Sequence, residues 1–221
     1  MTDSTVLDTT PAWLRALDQR CQPYLQAMIE FPRKVEQDPE TMRRSMVQAG
    51  VGIVKPFPFY LAAMKERAEP GTKAHEFLNE NEEEEAAHWA WWIDMGKAYG
   101  LTERDFEGVT LRPAMQELSD HLDDVSRNAP MPVAIAAVNY CIETGAAVMT
   151  GAYTPGFAER LGEDAGRWVA VHQEGDVEHS RISRELLAEL TEGDEELQRR
   201  TAESAVRTYE LFFAAMADAC R

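Results

Sequence analysis

Apolar residues recur along the chain at the three- and four-residue spacing of α-helices, and no stretch shows the regular alternation of a half-buried strand. Caps and prolines at the starts of segments, and glycines at their ends, divide this pattern into separate units. The sequence therefore predicts an all-α fold, a bundle of seven helices. We expect the helices at about residues 11–30, 38–66, 72–99, 112–128, 132–151, 163–191 and 194–219.

The segment 38–66 contains residues that an uninterrupted helix would avoid. Gly50 and Gly52 are followed by Pro56 and Pro58. Each proline removes a backbone hydrogen bond and crowds the preceding turn, so we expect this helix to bend. A bend inside a bundle leaves room for another group.

The segment 132–151, PVAIAAVNYCIETGAAVMTG, is apolar on nearly every face, which is typical of a helix buried in the middle of a bundle. Glu143 lies inside it. An ionised carboxylate is costly to bury unless a cation or a hydrogen-bond donor meets it. Either a salt bridge, from Lys55 or an arginine, or a bound metal ion would explain this residue.

Composition narrows the class of protein. A chain of 221 residues is long enough for one core, so we expect residues 1–221 to form a single domain. Asp and Glu outnumber Lys and Arg by 39 to 22, and this negative charge disfavours nucleic acid and anionic membrane as partners. The amino terminus lacks the features of a signal peptide, and the widely spaced Cys21, Cys141 and Cys220 fit a reducing compartment. We expect a cytoplasmic protein.

The stretch VHQEGDVEHS places His172, Asp176 and His179 at positions i, i+4 and i+7 of a predicted helix. These positions share one face over a length of about 10 Å. That is too long for one ion, but it suits two neighbouring ions with a carboxylate between them. A solvated helix face is the alternative.

A second cluster is the Glu85-x-x-His88 pair, whose spacing matches the Glu-x-x-His motif of di-iron carboxylate bundles. A charged surface turn followed by an ordinary core histidine is the alternative. Trp89, Trp91 and Trp92 follow directly, so the pair leads into a segment that must be largely buried.

Together these observations give three carboxylates and three imidazoles, a donor set that suits Fe²⁺ or Mn²⁺. Two divalent ions would leave the site slightly positive, with room for a substrate carboxylate. His75 and His121 do not fit the set and are expected at the surface or behind the ligands. The predicted ligands are Glu85, His88, Glu143, His172, Asp176 and His179.

The sequence resembles the haem-oxygenase-like di-iron oxidases, and among them the decarboxylases that convert medium-chain fatty acids into terminal alkenes. Short stretches in the same order between about residues 11 and 191 carry the resemblance. They are PAW at 11–13, FYLAAM at 59–64, the Glu-x-x-His pair leading into HWAWWIDMGKAYGLTERDF, the buried VAIAAVNYCIE and the His-x3-Asp-x2-His stretch.

The resemblance implies a seven-helix bundle of the haem-oxygenase and thiaminase-II type. It also implies that the six ligands bind two Fe(II) ions, with Mn(II) as an alternative, and that the site activates O₂. Removal of a hydrogen β to a substrate carboxylate, with loss of CO₂, would then give a terminal alkene. Desaturation or C–C cleavage of an amino acid in a specialised biosynthetic pathway is the alternative. The implied partners are a small carboxylic acid and an external electron donor, and a homodimer stays open.

Two positions depart from the pattern of this family. Many relatives carry the first carboxylate seven residues before the histidine, where this chain has Asn81. Glu85 is therefore the better ligand candidate, with Glu82 in reserve. Lys55 stands where the decarboxylases carry an acid.

The substrate-binding residues are predicted from the bent segment and the buried helix. Lys55 is the candidate anchor for a substrate carboxylate. Phe57, Phe59, Tyr60 and Tyr140 are candidates for the wall of the pocket.

Two hypotheses from other classes remain. A metal-free hydrolase of the thiaminase-II kind would need a cysteine nucleophile, and Cys141 is the candidate. A non-catalytic helical binding protein would instead keep its acidic faces as solvated surface.

Overall fold

The computed structural model describes residues 10–221, apart from the side chain of Glu174. The predicted all-α class is confirmed: each predicted helical segment is helical, and no described residue lies in a strand. The elements are α1 (Ala12–Met28), α2 (Glu30–Gln37), α3 (Pro39–Ala49), a π-helical segment (Gly50–Val54), α4 (Phe57–Lys65), α5 (Lys73–Glu85), α6 (His88–Ala98), a 3₁₀ turn (Glu103–Phe106), α7 (Pro113–Asn128), α8 (Met131–Ile135), a second π-helical segment (Ala136–Glu143), α9 (Thr144–Gly151), α10 (Phe157–Leu161), α11 (Glu163–Leu190) and α12 (Glu195–Ala219).

The second segment is not one regular α-helix: it is interrupted at the glycines and prolines, where a bend was predicted. α3 passes into a π-helical turn in which the Lys55 N–H donates to the carbonyl of Gly50 at 2.8 Å, five residues back. The next residue, Pro56, has no N–H to continue the ladder, and α4 starts after it. A Cβ on Gly50 would lie 2.5 Å from Nε1 of Trp92, so glycine permits the close approach of α6.

The predicted helix at 72–99 is interrupted. α5 ends at Glu85 and α6 begins at His88, with Ala86 and Ala87 in a turn between them. The N–H groups of residues 90 and 91 both donate to the carbonyl of Ala87, which starts the new helix. The expectation of one continuous helix was wrong here, and the break falls between the two residues of the Glu-x-x-His pair.

The apolar segment 131–151 forms the central helix of the bundle, made of α8, the second π-helical segment and α9. An 18-residue stretch of it is apolar enough to cross a membrane by length and composition alone, but 72% of that stretch is buried inside the bundle, as in the core helix of a soluble protein. α11 and α12 both pack against it, and α11 also packs against α6. The break between α5 and α6, the central helix and α11 therefore surround one region of the interior.

Candidate metal centre

All six predicted ligands lie in that region. Irregular backbone presents three of them: Glu85 and His88 flank the break between α5 and α6, and Glu143 is the last residue of the second π-helical segment. Single π-turns within helices are frequent at functional sites. The regular helix α11 supplies the other three from one face. Residues 85, 88, 143, 172 and 176 are between 2% and 5% exposed.

Glu85, His88 and His172 form a compact group. Each offers one ligand atom, and these atoms all lie within 4.8 Å of one another. Nδ1 of His88 is 2.6 Å from Oε2 of Glu85, and the two imidazole centroids are 4.6 Å apart. A single cation could contact all three side chains.

The other three side chains hold unpaired polar atoms. Oε2 of Glu143, Oδ2 of Asp176 and Nδ1 of His179 are buried and have no hydrogen-bond partner among the described residues. Buried polar atoms are usually paired, so this group requires an explanation. Carboxylate and imidazole donors that converge without partners fit a divalent cation of the Fe²⁺ or Mn²⁺ kind.

His179 also meets a residue that the ligand prediction did not include. Its Nε2 lies 3.1 Å from Oε2 of Glu84, a side chain that is 61% exposed, and its Nδ1 lies 3.6 Å from Oε2 of Glu143. Glu84 belongs to the run of four glutamates at 82–85, and its spacing of four residues before His88 does not distinguish it from Glu85, three residues before the same histidine. Sequence reasoning alone could therefore not single it out.

Burial and mutual repulsion set the charge of the metal-free site. Burial raises the pKa of Glu143 and of Asp176 well above their usual range, and for Asp176 the nearby Glu143 and Glu85 add to the effect. Burial lowers the pKa of His172 to about 3, helped by the neighbouring His88. The metal-free site thus favours neutral side chains, and a bound divalent ion would displace protons from the carboxyl groups.

A cavity of about 80 Å³ opens against the ligands. Its polar lining consists of ligand side chains, namely Glu85, Glu143, His172 and Asp176. Its apolar lining is Ala49, Ile53, Val54, Phe57, Trp92, Ile142, Ala146, Met149, Trp168, Phe212 and Met216. Among residues 10–221, no lysine or arginine lines it.

A second apolar cavity of about 60 Å³ continues away from the ligands. Six residues line both cavities, which makes the two spaces neighbours across a shared wall. They are Ala49, Trp92, Ala146, Met149, Trp168 and Met216. The far part of the second cavity is formed by side chains of α2, α3 and α6, together with Thr150 and Tyr153. The sequence analysis did not anticipate this space.

The structure places the predicted substrate residues of the bent segment on different sides. Phe57 lines the first cavity. Lys55 is exposed, with Nζ 5.4 Å from the ring centroid of Trp89 at a separate surface cleft, and Phe59 is 65% exposed. The π-turn and Pro56 set the register of this segment, so that Ile53 and Phe57 face the interior while the lysine faces solvent. The salt bridge from Lys55 to Glu143 that the sequence allowed is not formed.

The two predicted tyrosines also lie away from the cavities. The Tyr60 hydroxyl donates to the carbonyl of Ser119 at 3.3 Å, and the Tyr140 hydroxyl donates to Oδ1 of Asp18 at 2.6 Å. Both are buried in hydrogen-bonded positions of the core. Neither lines the space beside the ligands.

The remaining residues that the sequence analysis considered also lie outside the group of candidate ligands. Glu82 pairs with Lys65. Nε2 of His121 lies 2.9 Å from the Thr208 hydroxyl, and His75 lies near the start of α5. Cys141, the nucleophile of the metal-free alternative, donates to a backbone carbonyl at 3.4 Å, and burial raises the pKa of its thiol well above the usual range. It does not line either cavity.

Comparisons with known proteins agree with this geometry. A family model of the haem-oxygenase type, described as iron-containing redox enzyme, matches residues 45–213, a range that contains all six predicted ligands. No curated protein matches the sequence.

Several solved structures share the fold. A TenA homologue from Pseudomonas syringae pv. tomato superposes with a TM-score of 0.83 at 22% identity, covering 95% of this chain and 94% of that one. A domain of unknown function with a heme oxygenase-like fold from Shewanella denitrificans gives 0.74 at 14% identity, covering 93% and 91%. A TenA homologue from P. horikoshii gives 0.74 at 14% identity, covering 95% and 98%. At these identities the likeness concerns the fold.

Proposed function

Because the chain belongs to the haem-oxygenase-like family of iron-containing redox enzymes, we propose that it is a non-haem di-iron oxidase that uses O₂ to oxidise a carboxylic acid. One observation carries this proposal. Three carboxylates and three imidazoles converge on one interior region, where four of their polar atoms are buried without a hydrogen-bond partner among the described residues. In a purely structural cluster hydrogen bonds would satisfy these atoms, whereas a metal centre leaves them free for the ions.

The six ligands divide into two groups. Glu85, His88 and His172 would hold one ion, and Glu143 and His179 the other, with Asp176 between them. Two ferrous ions bound there would supply the activation of O₂ that removes a hydrogen from the carbon β to the substrate carboxylate. Manganese is the alternative metal for the same donor set.

The surrounding residues exclude water and hold the substrate. Outside the ligands, the first cavity is lined by aliphatic, aromatic and methionine side chains, which keep a reactive oxidant away from solvent. With no lysine or arginine lining either cavity, the carboxylate of a substrate would be held at the metal centre itself. The side chains around it would orient the apolar remainder.

The apolar lining favours a medium-chain fatty acid over an amino acid. An amino acid would need a partner for its ammonium group, and every acidic residue that lines the cavities is a predicted ligand. A fatty acid needs only an apolar continuation, which the second cavity offers. We therefore assign oxidative decarboxylation of a medium-chain fatty acid to a terminal alkene.

Electron balance requires a further partner. Loss of CO₂ and of a β-hydrogen takes two electrons from the acid, and reduction of O₂ to water takes twice as many. An external electron donor must supply the remainder.

The test is anaerobic loading with Fe²⁺, followed by mixing with O₂ and saturated fatty acids of graded length, with amino acids as a second panel. We expect the medium-chain acids to trigger a transient visible absorption and to yield CO₂ and the terminal alkene, detected by gas chromatography. Products from the amino acid panel alone would overturn the substrate assignment. If no compound triggers a transient, and iron binds no better than to the His172→Ala variant, the oxidase proposal is wrong.

A further inference from the structure

Two buried amides donate to the same oxygen of Glu143. Nδ2 of Asn81, from α5, lies 2.5 Å from Oε1 of Glu143, and Nδ2 of Asn139, one helical turn earlier in the central helix, lies 3.1 Å from it. Asn81 is 1% exposed and Asn139 is fully buried. Both contacts therefore form in the interior, where the low dielectric strengthens hydrogen bonds.

The arrangement makes the two oxygens of this carboxylate different. Oε1 accepts two amide hydrogens, while Oε2 has no hydrogen-bond partner and lies 3.6 Å from Nδ1 of His179. When a bound divalent ion has displaced its proton, the carboxylate can only accept hydrogen bonds, so both amides would present their NH₂ groups to it. Rotation of the carboxylate would break both contacts.

A role in packing alone does not explain the asparagines. Each leaves its own Oδ1 buried and without a hydrogen-bond partner. An unpaired buried carbonyl is unfavourable, and a leucine of similar size would avoid that cost at either position. The donors to Glu143 are the one feature for which the amides are needed.

We propose that Asn81 and Asn139 are positioning residues that hold the Glu143 carboxylate so that only Oε2 faces the second metal ion. This inference rests on the proposed function.

The test is a titration of the metal-free protein with Co²⁺, followed by calorimetry and by the visible absorption of the bound ion. We expect two ions per chain in the wild type. Asn81→Leu and Asn139→Leu should each lower the affinity for one of the two ions by about 10- to 100-fold. This is the effect expected when a side chain that hydrogen-bonds a metal ligand is removed. The ion held by Glu85, His88 and His172 should keep its affinity and its spectrum. Asn79→Ala, which removes a surface amide of the same helix that donates to Glu83, is the matched control and should bind as the wild type does.

Testing Asn81→Leu in the Glu143→Gln variant distinguishes a role of Asn81 in positioning Glu143 from a role in folding. In Glu143→Gln the oriented oxygen is already lost, so adding Asn81→Leu should change Co²⁺ binding little further. An equal loss in both backgrounds would show that Asn81 acts only through the structure and would overturn the proposal. Unchanged binding in both leucine variants would overturn it as well.

A measurement without metal distinguishes failure of this inference from failure of the proposed function. In the metal-free protein, Glu143→Gln should shift two side-chain NH₂ pairs in the ¹⁵N spectrum, and these pairs should be absent from Asn81→Leu and Asn139→Leu. If the wild type binds fewer than two ions while the NH₂ pairs still shift, the di-iron proposal fails, but the positioning of Glu143 by Asn81 and Asn139 stands. If the pairs do not shift, the two asparagines do not position Glu143, whatever the metal content.

Discussion

Nδ1 of His172 donates to the carbonyl oxygen of Trp168, one helical turn earlier, over 2.6 Å. The two rings also lie close, with centroids 3.9 Å apart. This contact fixes the imidazole orientation and its tautomer, and leaves Nε2 as the nitrogen free to bind an ion. Metal-binding histidines are commonly held in this way by a backbone carbonyl.

His172→Ala should therefore weaken the binding of ferrous iron by more than the roughly 10- to 100-fold expected for loss of a partner behind a ligand. The variant removes the ligand itself and leaves Glu85 and His88 as the remainder of their group. Anaerobic equilibrium titration measures the effect. His75→Ala, outside the ligand group, is the control, and equal affinity in the two variants would exclude His172 as a ligand.

The stability of the metal-free protein should depend on pH through Glu143. Burial raises the pKa of this carboxyl above its ordinary value of 4.5. Between the two values the folded state retains a proton that the unfolded state has released, so the free energy of unfolding falls as the pH rises. The side chain in Glu143→Gln does not ionise, so the variant avoids this loss. We expect its free energy of unfolding to increase relative to that of the wild type as the pH rises from about 4 to about 8.

The gain should reach about 1 to 3 kcal/mol, the usual cost of an unsatisfied buried polar group. Urea denaturation of chelator-treated protein at several pH values measures it. The lowered pKa of His172 makes the free energy of unfolding rise with pH, the opposite trend. This contribution is present in the wild type and in the variant, so it cancels when one free energy is subtracted from the other. Glu80→Gln, at an exposed position of α5, is the control and should stay within about 0.5 kcal/mol of the wild type. A difference for Glu143→Gln that does not change with pH would contradict the role of burial.

The shared wall of the two cavities should decide the length of the fatty acid. Ala146 lines both spaces, and a phenylalanine there would fill the region where they adjoin. Ala146→Phe should shift the preferred acid to a shorter chain while leaving metal binding intact. Competition between acids of graded length, with alkene products quantified, measures the shift. Ala98→Phe, at the exposed end of α6, is the control, and an unchanged preference in Ala146→Phe would place the substrate chain elsewhere.

The π-turn of the bent segment should tolerate no side chain at Gly50. An added Cβ would meet Nε1 of Trp92, which donates to the carbonyl of Met46 at 3.1 Å. Gly50→Ala should lower the free energy of unfolding by about 1 to 3 kcal/mol, as overpacking does. Gly175→Ala is the contrasting variant, because its Cβ meets nothing within 4 Å. In the metal-free protein the free energy of unfolding of Gly175→Ala should be about 0.5 to 1 kcal/mol higher than that of the wild type. Equal changes for the two variants would contradict the close approach of α6 to Gly50.

The candidate ligands could be predicted from the sequence because helical spacing carries geometric information. His172, Asp176 and His179 share a face in any helix, and Glu143 is conspicuous in an apolar segment. The all-α class follows from the same periodicity. None of these inferences depends on how the helices cross.

The substrate residues could not be identified in the same way. Whether Lys55 faces the cavity or the solvent depends on how far the π-turn rotates the backbone before Pro56, and no local pattern states that rotation. Asn81 and Asn139 were missed for a related reason. A single buried amide has no spacing signature, and its importance appears only when two helices bring both donors to one oxygen.

If six side chains hold two iron ions, anaerobic titration of the metal-free protein with Fe²⁺ should count both. We expect saturation at two ions per chain, with one ion lost in His172→Ala and the other in His179→Ala. Saturation at two ions in both variants, or binding to the wild type no tighter than to His172→Ala, would contradict it.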